Sequence, residues 1–391
     1  MASLPPISII SPNVSDNPLG RALLLADLLR SETRVQIVGI QQAESLWAPA
    51  AGAQIPIRGF RTRPGLFHAL DGASWLRDVV GDDFVIVSKP VARSLGLALL
   101  ARVGARGMTV DIDDWQAAFV QRDQTREQPT PTQQRVARLR SYARRGGLNG
   151  FVFTRLLEEY ARRRGAVTVS NRWLQERFGG ELLYHVRDPN ELDPSLSPSR
   201  ELKPLPAERL WVGFVGTPRP HKGIGVLVDA VASANRSAPP LGLALMGIHD
   251  GGDPDVAYAR KTLSEDALRI LPPFPIDALR DHLALTDVLA VPSLEMPTAW
   301  GQIPAKLFDA MSMARPIVAS SINDIPEILD GVGICVPPGD RAALAAALVR
   351  LARDVDLRRR LGAAARERLI ERYSYDAGRR VLVDVVRKAA R

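Results

Sequence analysis

Two α/β domains, each built on a doubly wound parallel sheet, are the architecture this sequence predicts, and three observations carry the prediction. The first is length, since 391 residues exceed what one hydrophobic core usually organises. The second is the alternation of short continuous apolar runs with helical patterns, as expected of parallel strands covered on both faces. The third is a break between two such series, a proline-rich stretch without period.

In the first series Ile7 to Ile10, Val35 to Val38, Phe84 to Val87, Thr109 to Ile112 and Val167 to Val169 read as strands. In the second, Trp211 to Val215, Leu243 to Met246, Val288 to Val291, Ile317 to Ala319 and Gly333 to Val336 do so, each followed by turn residues or an amphipathic helix. Between them, Asp188 to Glu208 carries five prolines and few large apolar residues. The interdomain linker is expected there, with the domains at residues 1–190 and 205–372. Two helical stretches, Asp356 to Glu371 and Asp376 to Ala390, close the chain with no strand after them.

Hydrophobic residues at 46% and charged residues at 24% exclude a fibrous or largely disordered chain. The N-terminal MASLPPISIISPN has no basic start followed by an apolar run, and charges interrupt the longer hydrophobic stretches, so a cytoplasmic protein is expected. A single cysteine, Cys335, fits a reducing compartment and reads as a small buried hydrophobe. The histidines at 68, 185, 221, 249 and 282 form no metal-binding spacing, so no protein-bound metal and no cofactor are expected. Net charge is +8, and the stretch Arg135 to Arg164 accounts for +7 of it, with nine arginines against Glu158 and Glu159. So local an excess argues for a docking surface on one domain rather than a nucleic-acid groove, which draws basic residues from both halves.

Two motifs in the second half bear on chemistry. In GFVGTPRPHKG a strand ends near Val215, Gly216 turns the chain, and a helix begins at Gly223 or Ile224. Backbone amides of such a turn and the helix N-terminus attract phosphate, with Arg219 and Lys222 adding full charges. The plainer reading is a strand-turn-helix with solvated basic residues. In WGQIPAKLFDAM, Pro304 suits the first helical position, and Lys306 and Asp309 lie on one helical face. A carboxylate there can hold a ribose diol while the lysine balances phosphate charge, although an exposed ion pair on a packed helix reads as well.

The succession GTPRPHKG, PSLEMPTAWGQIPAKLFDAM, ARPIVAS, NDIPEIL, VPPGD and ERYSYD resembles family 4 glycosyltransferases over nearly all of the chain from Trp211 onward. The resemblance implies the GT-B fold, two facing Rossmann-like domains, with residues 373–391 crossing back onto the first. It implies a retaining, metal-independent hexosyltransferase that takes a nucleotide-diphosphate sugar as co-substrate and transfers it to a hydroxyl acceptor. The donor is then held mainly by the C-terminal domain and the acceptor by the N-terminal one. The diphosphate-binding basic pair maps to Lys222 and Arg219, beside Gly216 and Thr217. The second acid of the family's E-x7-E maps to Asp309, whereas Gly301 stands where the first belongs. Contact with the donor sugar is therefore expected from Gln302 or Glu295, with Ile303 and Lys306 also in the donor site.

In the N-terminal half, SPNVSDNPLGRALLLADLL resembles the family's first loop and helix, with Gly20 near the diphosphate. VDIDDW resembles the place where many members carry a histidine or acid beside the transferred sugar, with Asp113 the nearest match and Asp111 and Asp114 its rivals. Asp111-Ile-Asp113 also fits the metal-binding DxD of the other glycosyltransferase fold and the start of a phosphatase motif, though neither explains the C-terminal half. A nucleotide-sugar epimerase or phosphorylase of similar fold, or a non-catalytic sugar-nucleotide or membrane-binding subunit, remains open. Val136, Leu139 and Ala143 form an apolar stripe among Arg135, Arg138, Arg140 and Arg144. That pattern suggests a peripheral contact with the anionic inner face of a membrane and a lipid-linked acceptor.

Overall fold

The structure, a computed structural model, describes residues 3–50, 52–61, 66–125, 150–200, 202–237, 239–249 and 251–390, without the side chains of 66–69 and 121–125. The chain divides into two compact units, Met1–Tyr184 with Gly378–Arg391, and His185–Ala377.

The strands of the first unit are β1 (Ile7–Ser11), β2 (Val35–Gln41), β3 (Ile57–Arg61), β4 (Phe84–Ser88), β5 (Met108–Ile112), β6 (Val167–Val169) and β7 (Glu181–Leu182). They form one parallel sheet in the order β3-β2-β1-β4-β5-β6-β7. Every residue of β1, β4 and β5 is buried, because helices cover both faces. The helix Pro18–Leu29 contributes Leu25, Leu28 and Leu29, and Phe151–Arg164 contributes Leu157 and Ala161. β3 and β7 were not foreseen from the sequence. They are edge strands, half exposed, and so lack the continuous apolar run that marks a central parallel strand.

The second unit has β8 (Leu210–Val215), β9 (Leu241–Met246), β10 (Leu268–Leu271), β11 (Val288–Val291), β12 (Ile317–Ser320) and β13 (Ile334–Val336). Their order, β10-β9-β8-β11-β12-β13, is again parallel. The unforeseen β10 is likewise an edge strand, mostly half-buried. Val212, Phe214, Leu243 and Leu245 pack with the helices Ile224–Ala234 and Arg341–Arg353, whose Leu227, Leu344, Leu348 and Leu351 are buried.

The proline-rich stretch after β7 lies along the second unit, where side chains satisfy its backbone. Arg366 donates to the carbonyls of Pro189 and Leu192 and pairs with Asp193 at 2.9 Å. Ser312 Oγ also donates to the Leu192 carbonyl, and Asp281 accepts from the backbone N–H and hydroxyl of Ser199. The last helix, Tyr375–Ala389, buries Leu382, Val383, Val385 and Val386. It is tied to the first unit by Arg379 Nε donating to the Leu28 carbonyl and by Lys388 with Glu181 at 3.2 Å. Gly107, at φ +122°, lies so close to the Ala389 carbonyl and Phe84 that a Cβ would collide with both.

Arg135, Arg138, Arg140, Arg144 and Arg145 lie outside the described residues, as do Val136, Leu139 and Ala143. Arg155, Arg162, Arg163 and Arg164 fall on the helix Phe151–Arg164, where Glu158 takes Arg155 at 3.1 Å and Glu159 takes both Arg162 and Arg163 at 2.7 Å. Much of the charge on that part of the segment is therefore compensated within the helix. No helix of the described residues is long and apolar enough to cross a membrane.

Candidate functional site

In each sheet the strand order reverses once. The chain winds outward from β1 through β2 to β3 and returns to place β4 on the other side of β1; β8, β9, β10 and β11 repeat the pattern. At such a reversal neighbouring connections leave for opposite faces, opening a crevice outside the carboxyl ends of the strands where α/β proteins bind ligands. Most residues singled out in the sequence follow the strands that flank these two reversals, while Asp111, Asp113 and Asp114 lie at the end of β5, one strand further out.

In the second unit the turn after β8 is built on two glycines with positive φ. Gly216 (φ +106°) donates its amide to the Met246 carbonyl, and Gly223 (φ +68°) precedes the helix Ile224–Ala234. At Gly223 a Cβ would strike the carbonyl oxygen of Pro292. Only glycine lets the turn after β8 lie this close to the loop after β11. Leu294 N–H donates to the His221 carbonyl at 2.9 Å, and Lys222 Nζ donates to Gln302 Oε1 at 2.7 Å. Lys222 and Gln302 are thus held together, and Ile303 is fully buried beside them in sequence. Thr217, Arg219 and Glu295 are exposed.

The helix carrying Asp309 spans Lys306–Ser312, so Pro304 stands two residues ahead of it, not at its first position. Lys306 and Asp309 are both buried, which replaces the exposed ion pair that the spacing alone allowed. Lys306 Nζ lies 3.4 Å from the ring centroid of Phe214. Burial pushes its amine well below the ordinary lysine range and neighbouring Lys222 adds to this, with Asp309 opposing. Asp309 forms an ion pair with Arg187. Gly301, in place of the first acid, has ordinary negative φ, and its neighbour Gln302 is held by Asn323, whose Nδ2 donates to the carbonyls of Ala299 and Gln302.

In the first unit Gly20 is the third residue of the helix Pro18–Leu29, and its bare Cα makes room for the Trp47 ring. Asp111 and Asp113 separate sharply. Asp111 is fully buried; Arg21 grips both of its oxygens at 2.9 and 2.8 Å, and the Thr168 hydroxyl donates at 2.7 Å. Both Asp111 oxygens are thus taken, which makes Asp111 a structural acid. Asp113 follows the carboxyl end of β5 and meets Lys89 Nζ at 2.6 Å; Asp114 meets the same ammonium at 2.7 Å. Burial pushes the Asp113 carboxyl up to about 6, against the pull of Lys89.

Sequence reasoning missed Lys89, Arg21, Arg187 and Asn323. Lys89 follows a strand end in the sequence SKP, a signal that strand position alone carries. Arg21 and Arg187 act through partners 90 and 122 residues away, which no local pattern reveals.

Residues 209–354 match the family Glycosyl transferases group 1. A phosphatidyl-myo-inositol mannosyltransferase of Mycobacterium leprae is 31% identical over 218 residues, 54% of this chain and 55% of that protein. A D-inositol 3-phosphate glycosyltransferase of Kineococcus radiotolerans is 29% identical over 215 residues, 50% of this chain and 48% of that protein. The chain thus spans about half the length of the curated relatives it matches. Among solved structures, Anabaena HepE in complex with UDP-glucose superposes with a TM-score of 0.71 over 98% of this chain and 100% of that one, at 16% identity. A glycosyltransferase from Rickettsia africae does so with a TM-score of 0.69 over 99% of both chains, at 14% identity. At such identities these structures bear on the fold, which is GT-B. The second unit, more particularly, carries the Glycosyl transferases group 1 sequence over residues 209–354.

The Arg21–Asp111 pair yields a stability prediction. Arg21→Met strands a buried carboxylate and should cost about 3–5 kcal/mol, whereas Arg21→Met with Asp111→Leu should recover most of that loss. Urea unfolding of the three proteins reads both values, and a loss below about 1 kcal/mol in the single variant would show that Asp111 finds compensation elsewhere.

Proposed function

We propose that this chain transfers a hexosyl group, with retention of configuration, from a nucleotide-diphosphate donor to a hydroxyl acceptor, without a metal ion. The observation that carries the reading is the fixed pair of Lys222 and Gln302 where the strand order of the second unit reverses. It lies beside the N-terminus of the helix Ile224–Ala234. The relatives named above support it, two being glycosyltransferases by name and one solved neighbour holding UDP-glucose. Lys222, exposed Arg219 and the helix amides then take the diphosphate, Asp309 the ribose, and Gln302 the donor sugar. The departing phosphate draws the proton from the acceptor hydroxyl on the same face of the sugar. The protein stabilises the charge that develops on the leaving group. Asp113 accepts a hydrogen bond from the transferred sugar.

A thermal-shift panel of UDP-glucose, GDP-mannose and ADP-glucose, followed by transfer assays, tests the reading. A ligand present at a hundred times its dissociation constant stabilises by about 2.7 kcal/mol. Lys222→Ala should cut turnover about 10²-fold or more while leaving the unfolding midpoint of the free protein in place, and EDTA should leave the parent active. Turnover within a few-fold of the parent would remove Lys222 from the site, and an activity lost to EDTA and restored by manganese would overturn the metal-free mechanism.

Lys306 generates a second prediction. Burial holds its amine below the ordinary lysine range, and an arriving diphosphate favours the ammonium, raising its pKa. Binding of UDP should therefore take up protons and weaken as pH rises through the value of the bound state. Calorimetry in two buffers of different ionisation enthalpy measures the uptake, which should vanish in Lys306→Met; identical uptake in the variant would assign the proton to another group.

A membrane-linked acceptor is proposed from the basic segment. Each basic residue near an anionic surface contributes about 1 kcal/mol, so four or five suffice for reversible docking. Co-sedimentation with anionic vesicles should fall when Arg135, Arg138, Arg140 and Arg144 are changed to Gln, and in high salt. Equal sedimentation of parent and variant would leave the segment an acceptor site or a solvated surface.

A further inference from the structure

We infer that Lys89 is a positioning residue for sugar transfer, fixing the Asp113 carboxylate as a hydrogen-bond acceptor; the inference rests on the role given to Asp113 above. Its backbone is the first observation. Lys89 adopts φ +69° although it bears a side chain and precedes Pro90, a left-handed conformation that residues other than glycine rarely adopt. Such outliers persist where their surroundings over-determine them, and they gather at functional sites. Here the surroundings are explicit. Lys89 N–H donates to the Asp111 carbonyl at 2.8 Å, and its own carbonyl accepts from Val91 N–H at 3.0 Å and from the Ser94 hydroxyl. The conformation carries the side chain from the end of β4 to the end of β5.

The second observation is the unequal match of donors and acceptors. The Lys89 ammonium, only 7% of the residue being exposed, serves two carboxylates, and Asp113 is engaged at Oδ1 alone. Among the described residues nothing donates to Asp113 Oδ2. A structural ion pair requires one carboxylate and no strained backbone. With Oδ1 alone engaged, Asp113 keeps an acceptor position over, which suits a ligand rich in hydroxyls.

The charged groups facing Asp113 are Lys89 after β4, Asp114 in its own loop, Asp111 of β5 and Arg21 of the helix Pro18–Leu29. Arg21 already pairs with Asp111. Burial and the two acids disfavour the ionised Asp113 carboxyl, while Lys89 and Arg21 favour it. Lys89 and Asp114 therefore act on it with opposite sign.

The test is titration of the whole protein, labelled with ¹³C at the aspartate carboxyls, with the Asp113 signal assigned by Asp113→Asn. Lys89→Met should raise the Asp113 midpoint by about one pH unit or more. Lys89→Arg should restore it towards the parent, and Asp114→Asn should lower it. The acid limb of kcat/KM should move likewise, measured as nucleotide release from whichever of UDP-glucose, GDP-mannose and ADP-glucose binds best. An unmoved midpoint in Lys89→Met, or shifts of one sign in Lys89→Met and Asp114→Asn, would reduce the pair to a structural contact. Should Lys89→Met not fold, the downward shift in Asp114→Asn decides, since its absence overturns the inference. Full activity in Asp113→Asn would instead sink the role of Asp113 itself, and leaves the titration to stand or fall separately.

Discussion

A parallel strand cannot be followed by a hairpin; it requires a crossover, and the crossover must run along one face of the sheet. Most of what matters in this chain descends from that constraint. Both faces of each sheet must be covered, so the central strands are mostly apolar, and the polar residues they do carry, such as Ser8 and Asp111, are paired inside. Polar and charged residues are driven to the loops at the strand ends, and the single reversal of strand order decides which loops diverge. Lys222, Gln302 and Asp309 in one unit, and Lys89 and Asp113 in the other, all follow strands at or beside such a reversal.

The central strands were legible because burial on both faces writes itself as a mostly apolar run. Val167 to Val169 and Val288 to Val291 have the boundaries the sequence suggests. The edge strands β3, β7 and β10 were not legible, since a half-exposed strand shares its composition with a loop. At the site, Lys222 and Asp309 stood out through motifs within a dozen residues. Arg187 and Arg21 did not, because each becomes meaningful only through an acid distant in sequence. Lys89 is the intermediate case. Its position after a strand was readable, but its left-handed backbone was not, for a lysine before proline gives no sign of one.

Buried charge is handled differently at two places, one in each unit. In the first, Asp111 is matched oxygen for oxygen by Arg21, an arrangement that fixes geometry and leaves nothing over for a ligand. In the second, Lys306 rests on an aromatic face, which accepts a cation but holds it far less strongly than a carboxylate would. The contrast is between a charge matched atom for atom and one set against an aromatic ring. Asn323 belongs with the scaffold, its left-handed backbone (φ +51°) aiming a side-chain amide at two carbonyls of the loop after β11.

The closing helix has a consequence for how the protein is made. Residues from Gly378 onward belong to the first unit, although the whole of the second unit is translated before them. On the ribosome the second unit has all its strands in hand while the first still lacks the helix that covers Gly107 and binds Leu28. The unit begun first is thus completed last. Until Leu382, Val383, Val385 and Val386 arrive, the surface they cover stays open to solvent, an apolar patch exposed for the time it takes to synthesise nearly two hundred further residues. Chaperone dependence and sensitivity to premature termination should therefore concentrate in the N-terminal unit, far in sequence from where the chain is cut short.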